Sequence, residues 1–97
     1  MKGVIYHPRV PSEVRDATAY YEAISPRLGD GFWEELTEAI ERARAFPELH
    51  HFDPSGLRRC NLKRFPYHFL FQNFADYIRI VVVRHNRRNP NYGLRRR

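Results

Sequence analysis

Residues 64–85 read Arg64-Phe65-Pro66-Tyr67-His68-Phe69-Leu70-Phe71-Gln72-Asn73-Phe74-Ala75-Asp76-Tyr77-Ile78-Arg79-Ile80-Val81-Val82-Val83-Arg84-His85. From Tyr67 to Gln72 the side chains alternate. Tyr67, Phe69 and Phe71 oppose His68, Leu70 and Gln72, as on a strand whose neighbouring residues face opposite sides of a sheet. Asn73-Phe74-Ala75-Asp76 then reads as a hairpin turn. Tyr77 to Arg84 is the next strand and the most apolar segment, which predicts a central position with both faces covered.

Towards the N-terminus the same period continues and then changes. Leu57 to Lys63 alternates, with Arg59, Asn61 and Lys63 on one side and Cys60 and Leu62 on the other, so the last forty residues predict a three-stranded meander. His50 to Gly56 is a loop whose turn signal is Asp53-Pro54-Ser55-Gly56. Before it the period becomes helical. Phe32, Leu36, Ala39, Ile40 and Ala43 share a face, Glu34, Glu35, Glu38 and Glu41 take the solvent side, and Phe46-Pro47 ends the element. Glu38 and Arg42 stand at i,i+4, where they can pair. Ser25-Pro26 supplies an N-cap and a first-turn proline, and Gly29 and Gly31 weaken the turn that follows. A first helix opens at Pro11-Ser12-Glu13 and carries Val14, Ala17, Tyr21 and Ile24 as its stripe. Gly3 to His7 is a short strand stopped by Pro8. The expected fold is α+β, one domain over residues 1–97. Its order is β-α-α-β-β-β, with a helical hairpin packed on one face of a mainly antiparallel sheet.

Charge is divided along the chain. Residues 1–57 hold six Lys/Arg and ten Asp/Glu, a net of −4; residues 58–97 hold eleven Lys/Arg and only Asp76, a net of +10. If the helices cover one sheet face, the other alternation set (Arg59, Lys63, His68, with Arg79 and His85) is displayed on the second face. A basic surface with interleaved aromatics suits a polyanion. A solvated face that only confers solubility is the plain alternative. The single cysteine, Cys60, excludes an intrachain disulfide and a multi-cysteine zinc site, which suits a reducing cytoplasm. No signal peptide is visible, and the longest apolar run, Ile80 to Val83, falls far short of a membrane helix. No membrane partner is expected.

The order of elements, the segment Arg64-Phe65-Pro66-Tyr67-His68-Phe69-Leu70-Phe71 and the ending Arg84-His85-Asn86-Arg87-Arg88-Asn89-Pro90 resemble the RelE/ParE superfamily of type II toxin–antitoxin toxins, also called plasmid stabilisation proteins. The Phe-Pro-Tyr strand and the His-x-x-Arg-x-Pro ending look like the ParE-like branch, and Ala45-Phe46-Pro47 fits the same pattern. The resemblance spans nearly the whole chain. It implies a small cognate antitoxin as partner and one of two activities. RelE-like members cut mRNA in the ribosomal A site, and ParE-like members poison DNA gyrase.

RNA cleavage in this superfamily sets the substrate's 2′-OH against the adjacent phosphate and needs no metal. It requires proton transfer, for which histidine is the default, and cations aimed at the phosphorane. By position, the resemblance implies His85, His68 and Tyr92 as candidate catalytic residues. His68 stands where RNA-cleaving members place an arginine. Arg59, Lys63 and Arg88 are candidate phosphate or RNA clamps, with Arg64 and Arg87 beside them. Each has a structural alternative: His68 as a packed, hydrogen-bonded histidine, His85 as a strand-end cap, Tyr92 as a cover on the sheet edge. Cys60 reads as core, and Trp33 and Tyr20-Tyr21 as packing of the helical hairpin. His50-His51 near Asp53 lacks further ligands, so no metal and no cofactor are expected. The sequence-based expectation is a toxin acting by ribosome-dependent mRNA cleavage, as a metal-independent endoribonuclease. A ParE-like gyrase inhibitor and an inactive basic nucleic-acid-binding module are the alternatives.

Overall fold

The computed structural model covers residues 1–97. Its elements run β1 (Gly3–Tyr6), α1 (Val10–Ile24), α2 (Pro26–Ala45), β2 (Arg58–Asn61), β3 (Tyr67–Asn73) and β4 (Tyr77–His85), with single 3₁₀ turns at Pro47–Leu49 and Leu94–Arg96. The sheet order is β1-β4-β3-β2, so the two longest strands are central, as the apolar run in β4 predicts. β2–β3 and β3–β4 are antiparallel. β1 lies parallel to β4, because the helical hairpin carries the chain back across the sheet before the meander begins.

The helices form where the stripes predict, with shifted ends. α1 starts at Val10, and the Ser12 hydroxyl bonds back to the Arg9 carbonyl instead of capping. Ser25 does cap α2, accepting from the Arg27 amide at 3.2 Å. Gly29 and Gly31 sit inside α2 without breaking it. A Cβ on Gly29 would lie 2.2 Å from Glu22 Cγ, so this glycine lets α1 and α2 approach. The main core joins Phe32, Leu36 and Ala43 of α2 to Phe69, Phe71 and Ile80 of the sheet. Two of the expected solvent-side glutamates behave differently. Glu35 turns inward to accept from the Lys63 and Arg64 amides, and Glu41, not Glu38, makes the surface ion pair, with Arg44 at 3.2 Å.

The second face departs most from expectation. Leu70 pairs with Val82 but Phe71 pairs with Ile80, so Val81 is an extra residue in β4. This bulge interrupts period 2. Val81 and Val82 both join Leu57 and Leu70 in a second cluster, and every residue beyond is displaced by one. His85 therefore lies on the helix-bearing side, its ring 5.2 Å from Tyr67, and Arg84 takes the place beside His68. Nor is the second face bare. Tyr92 and Leu94 of the C-terminal segment pack over the cluster. Gly93, at φ +83, makes this close approach possible: a Cβ there would sit 2.8 Å from Val82 Cβ.

Candidate functional site

β3 and β4 present His68 and Arg84 side by side. His68 is 2% exposed, and both of its ring nitrogens are engaged. Arg84 Nε donates to Nε2 at 2.9 Å, which leaves the ring proton on Nδ1, and Nδ1 donates to Asn86 Oδ1 at 2.8 Å. Burial, reinforced by the charges of Arg59 and Arg84 and opposed by the Asn86 contact, holds the His68 pKa below its ordinary value, so the ring is neutral. Arg84 Nη1 donates to both the Pro90 and the Tyr92 carbonyl, each at 2.8 Å. No buried side-chain polar atom in the protein lacks a partner. Arg84 was not among the sequence-derived candidates, because it read as one residue of an apolar strand.

A polar hollow of about 410 Å³ opens over this pair, walled by Asp53, Ser55, Arg59, Asn86, Arg88 and Asn91. Arg59 reaches it but is tied, through Nε to Asn61 at 2.8 Å and through a guanidinium nitrogen to Asp53 at 3.3 Å. Burial pushes the Asp53 carboxyl up, yet hydrogen bonds from Ser55 and Arg59 outweigh it and keep the group below its usual range. Lys63 and Arg64 do not join Arg59. β2 ends at Asn61, and Arg64 is drawn to Glu35, 3.3 Å away. Cys60 is core, as expected, and burial pushes its thiol up to about 11.

His85, Arg88 and Tyr92 share a different groove, also of about 410 Å³, between β4 and α1; Arg9, Asp16, Tyr20 and Tyr67 line it with them. His85 Nδ1 accepts from the Arg87 amide at 3.0 Å, which leaves Nε2 as the free position. The Arg88 guanidinium stacks on Tyr92, 4.0 Å from the ring centre, while Arg87 is exposed. Tyr92 is anchored from below. Its hydroxyl donates to Glu13 at 2.6 Å, and the same carboxylate accepts from the Val83 amide at 3.1 Å and pairs with Arg96 at 2.7 Å. Glu13 is a residue the periodicity did not single out. It satisfies a β4 edge amide that β1, ending at Tyr6, does not reach.

The third concavity is apolar. Between α1 and α2 lies a groove of about 560 Å³, floored by Val10, Val14, Leu36 and Ile40 and flanked by Tyr6 and Trp33. Trp33 is 53% exposed there, so it does not pack the hairpin interior as its spacing suggested. No group of three or more His, Cys, Asp or Glu side chains is placed to hold a metal ion. No helix is long and apolar enough to cross a membrane.

The model of the family described as "ParE toxin of type II toxin-antitoxin system, parDE" matches residues 4–90. Among solved structures, a chain of the chromosomal ParDE toxin–antitoxin system from P. aeruginosa superposes with a TM-score of 0.74 at 17% identity, covering 88% of this chain and 96% of that one. No curated protein matches the sequence.

Proposed function

The chain belongs to the ParE toxin family of type II toxin–antitoxin systems, and on that premise we propose that it arrests growth by binding DNA gyrase stoichiometrically in the cytoplasm and is neutralised by a cognate antitoxin. What supports a binding mechanism over a catalytic one is the fate of the two histidines. His68 has no free nitrogen, and His85 lies on the opposite side of the sheet, so the pair does not flank one reacting phosphate. Two of the five candidate phosphate clamps are also committed elsewhere, Arg59 to Asp53 and Arg64 to Glu35. A surface built this way recognises a partner without needing a group that exchanges protons.

The apolar groove between α1 and α2 fits the antitoxin. Val10, Val14, Leu36 and Ile40 are placed to receive the apolar face of an amphipathic helix, with Arg15 and Glu22 at its margins to select complementary charges.

The deciding experiment titrates purified toxin into a gyrase supercoiling reaction and, in parallel, follows translated mRNA after induced expression. Inhibition at near-equimolar toxin with intact mRNA is the expected result. Discrete mRNA breaks with unimpaired supercoiling overturn it.

One observation favours ribosome-dependent mRNA cleavage as a second reading: His85 keeps Nε2 free in a groove that also holds Arg88 and Tyr92. Under that reading His85→Ala abolishes toxicity without a change in thermal midpoint. Under the gyrase reading the breaks never appear.

A further inference from the structure

Four of the late cations are neutralised or buried: Arg59, Arg64 and Arg96 are ion-paired, and Arg84 is enclosed by carbonyls and His68. Lys63, Arg87, Arg88 and Arg95 are exposed without a carboxylate partner. Arg9 and Arg88 are exposed, have no carboxylate partner and donate no side-chain hydrogen bond, and both line the groove between α1 and β4. His85 adds a free Nε2 to the same wall. The other wall is aromatic. Tyr20 is 63% exposed, Tyr67 stands against His85, and the hydroxyls of both tyrosines are unpartnered. The one opposing charge is Asp16, since Glu13 is already paired with Arg96.

Unpaired guanidiniums beside exposed aromatic rings, in a hollow of about 410 Å³, are the chemistry of a single nucleotide unit: phosphate on the cations, base against a ring. We infer that this groove binds a segment of single-stranded DNA. Arg9 and Arg88 bracket a phosphate, His85 donates to it, and a base stacks on Tyr20. No hydrogen-bonding groups are arranged to read a base edge, so recognition is independent of sequence. That the strand is DNA rests on the gyrase reading, because a gyrase-directed toxin has a DNA-handling enzyme as its target. The groove's affinity for a single strand does not rest on it.

The test is fluorescence anisotropy of a labelled 12-nucleotide single strand, as DNA and as RNA, titrated with the full chain at two salt concentrations. Binding is expected to weaken steeply with salt. Arg9→Gln combined with Arg88→Gln should lower affinity at least tenfold and reduce the salt slope by about one per arginine removed, and the paired Lys variants should restore most of it. Tyr20→Ala should lower affinity about fivefold or more with the salt slope unchanged. Asp16→Asn should tighten binding. Arg27→Gln, on an exposed turn of α2, should change nothing. Unchanged affinity in the Arg9/Arg88 variant, at an unchanged thermal midpoint, overturns the inference, as does the absence of any binding at low salt. The same variants in the supercoiling assay separate the two levels. Groove-dependent DNA binding with unimpaired gyrase keeps the site and removes the gyrase reading. Undiminished inhibition of gyrase by a variant that no longer binds the strand removes the site from the mechanism and keeps the target.

Discussion

Arg84 donates through Nε to His68 Nε2 across 2.9 Å, and this contact joins the protonation state of a buried histidine to the path of the C-terminal segment. The same guanidinium holds the Pro90 and Tyr92 carbonyls. A neutral His68 accepts that donor; a charged one meets it with a second proton. Ring, guanidinium and C-terminal strap therefore form one unit.

Removing the donor should unfasten the strap. Arg84→Ala leaves His68 Nε2 and two carbonyls without partners, and each stranded acceptor costs about 1–3 kcal/mol. A loss of about 3 kcal/mol overall is expected, which lowers the melting midpoint of a domain this size by about 10 °C or more. Chemical denaturation of the variant beside the parent measures it. A change under 1 kcal/mol would show that the unit is not cooperative.

Acid should destabilise the protein through His68. Its folded pKa lies below the unfolded value of 6.5, so the unfolded chain takes up the proton first. The stabilisation is complete above about pH 6.5 and is lost as pH falls towards the folded pKa, with a slope of at most about 1.4 kcal/mol per pH unit for one proton. Asp53 titrates lower, because its carboxyl is held below the ordinary carboxylate range, and its contribution is lost only in stronger acid. His7, also held low by burial and by Arg96, is present in both proteins and cancels in a comparison. His68→Gln should flatten the stability profile between pH 7 and 5. An unchanged slope would remove His68 as its source.

Glu13 is the second anchor of the strap. In Glu13→Ala the half-hidden Arg96 charge, the Tyr92 hydroxyl and the Val83 amide all lose their acceptor. Breaking such a pair from one side costs about 3 kcal/mol. Hydrogen exchange supplies the specific readout: the Val83 amide should lose protection selectively, while Ile80, deeper in the sheet, keeps its own. Equal loss at both sites would indicate global unfolding instead.

Much of this architecture is legible in the residues alone. The stripe in α2 and the alternation in β3 each impose one period, the apolar run in β4 imposes a central position, and the structure obeys all three. What the residues alone do not mark is non-periodic. Val81 and Val82 look interchangeable in sequence, yet one is the extra residue of a bulge, and nothing local marks which. The displacement reaches the site: it puts His85 on the helix-bearing side and Arg84 beside His68, where strict alternation predicts the reverse. Glu13 is hidden in the sequence for a related reason. Its partners, Val83, Tyr92 and Arg96, come from distant parts of the chain and meet only once β1 stops short of the end of β4. The Phe-Pro-Tyr and Arg-x-Pro signatures identified the family correctly, since family patterns record such long-range agreements without displaying their geometry.

Gly93→Ala should be disproportionately costly for so small a change. The left-handed backbone costs about 1–2 kcal/mol for a residue with a Cβ, and the new methyl would press into Val82. The thermal midpoint should fall by several degrees or more, and the NMR signals of Tyr92 should report a loosened strap. A neutral result would mean that the segment re-seats freely.

Neutralisation should depend on the helical hairpin and not on the strap. Trp33→Ala removes an exposed aromatic wall of the apolar groove and should weaken antitoxin binding about tenfold or more while leaving stability within about 0.5 kcal/mol. Isothermal titration with the antitoxin checks it. Wild-type affinity would exclude this groove as the antitoxin's seat.

The extra residue in β4 makes the chemistry of the far rim depend on strand register more than on side-chain identity. Deleting Val81 would restore strict pleating and still leave Arg84 opposite His68 and His85 opposite Tyr67, whereas a bulge-free register that keeps Val81, opposite Leu70, would carry Arg84 across the sheet and bring the imidazole of His85 round to the side of His68. A one-residue slip is thus a short route by which a scaffold of this kind could trade one working surface for another with every amino acid unchanged.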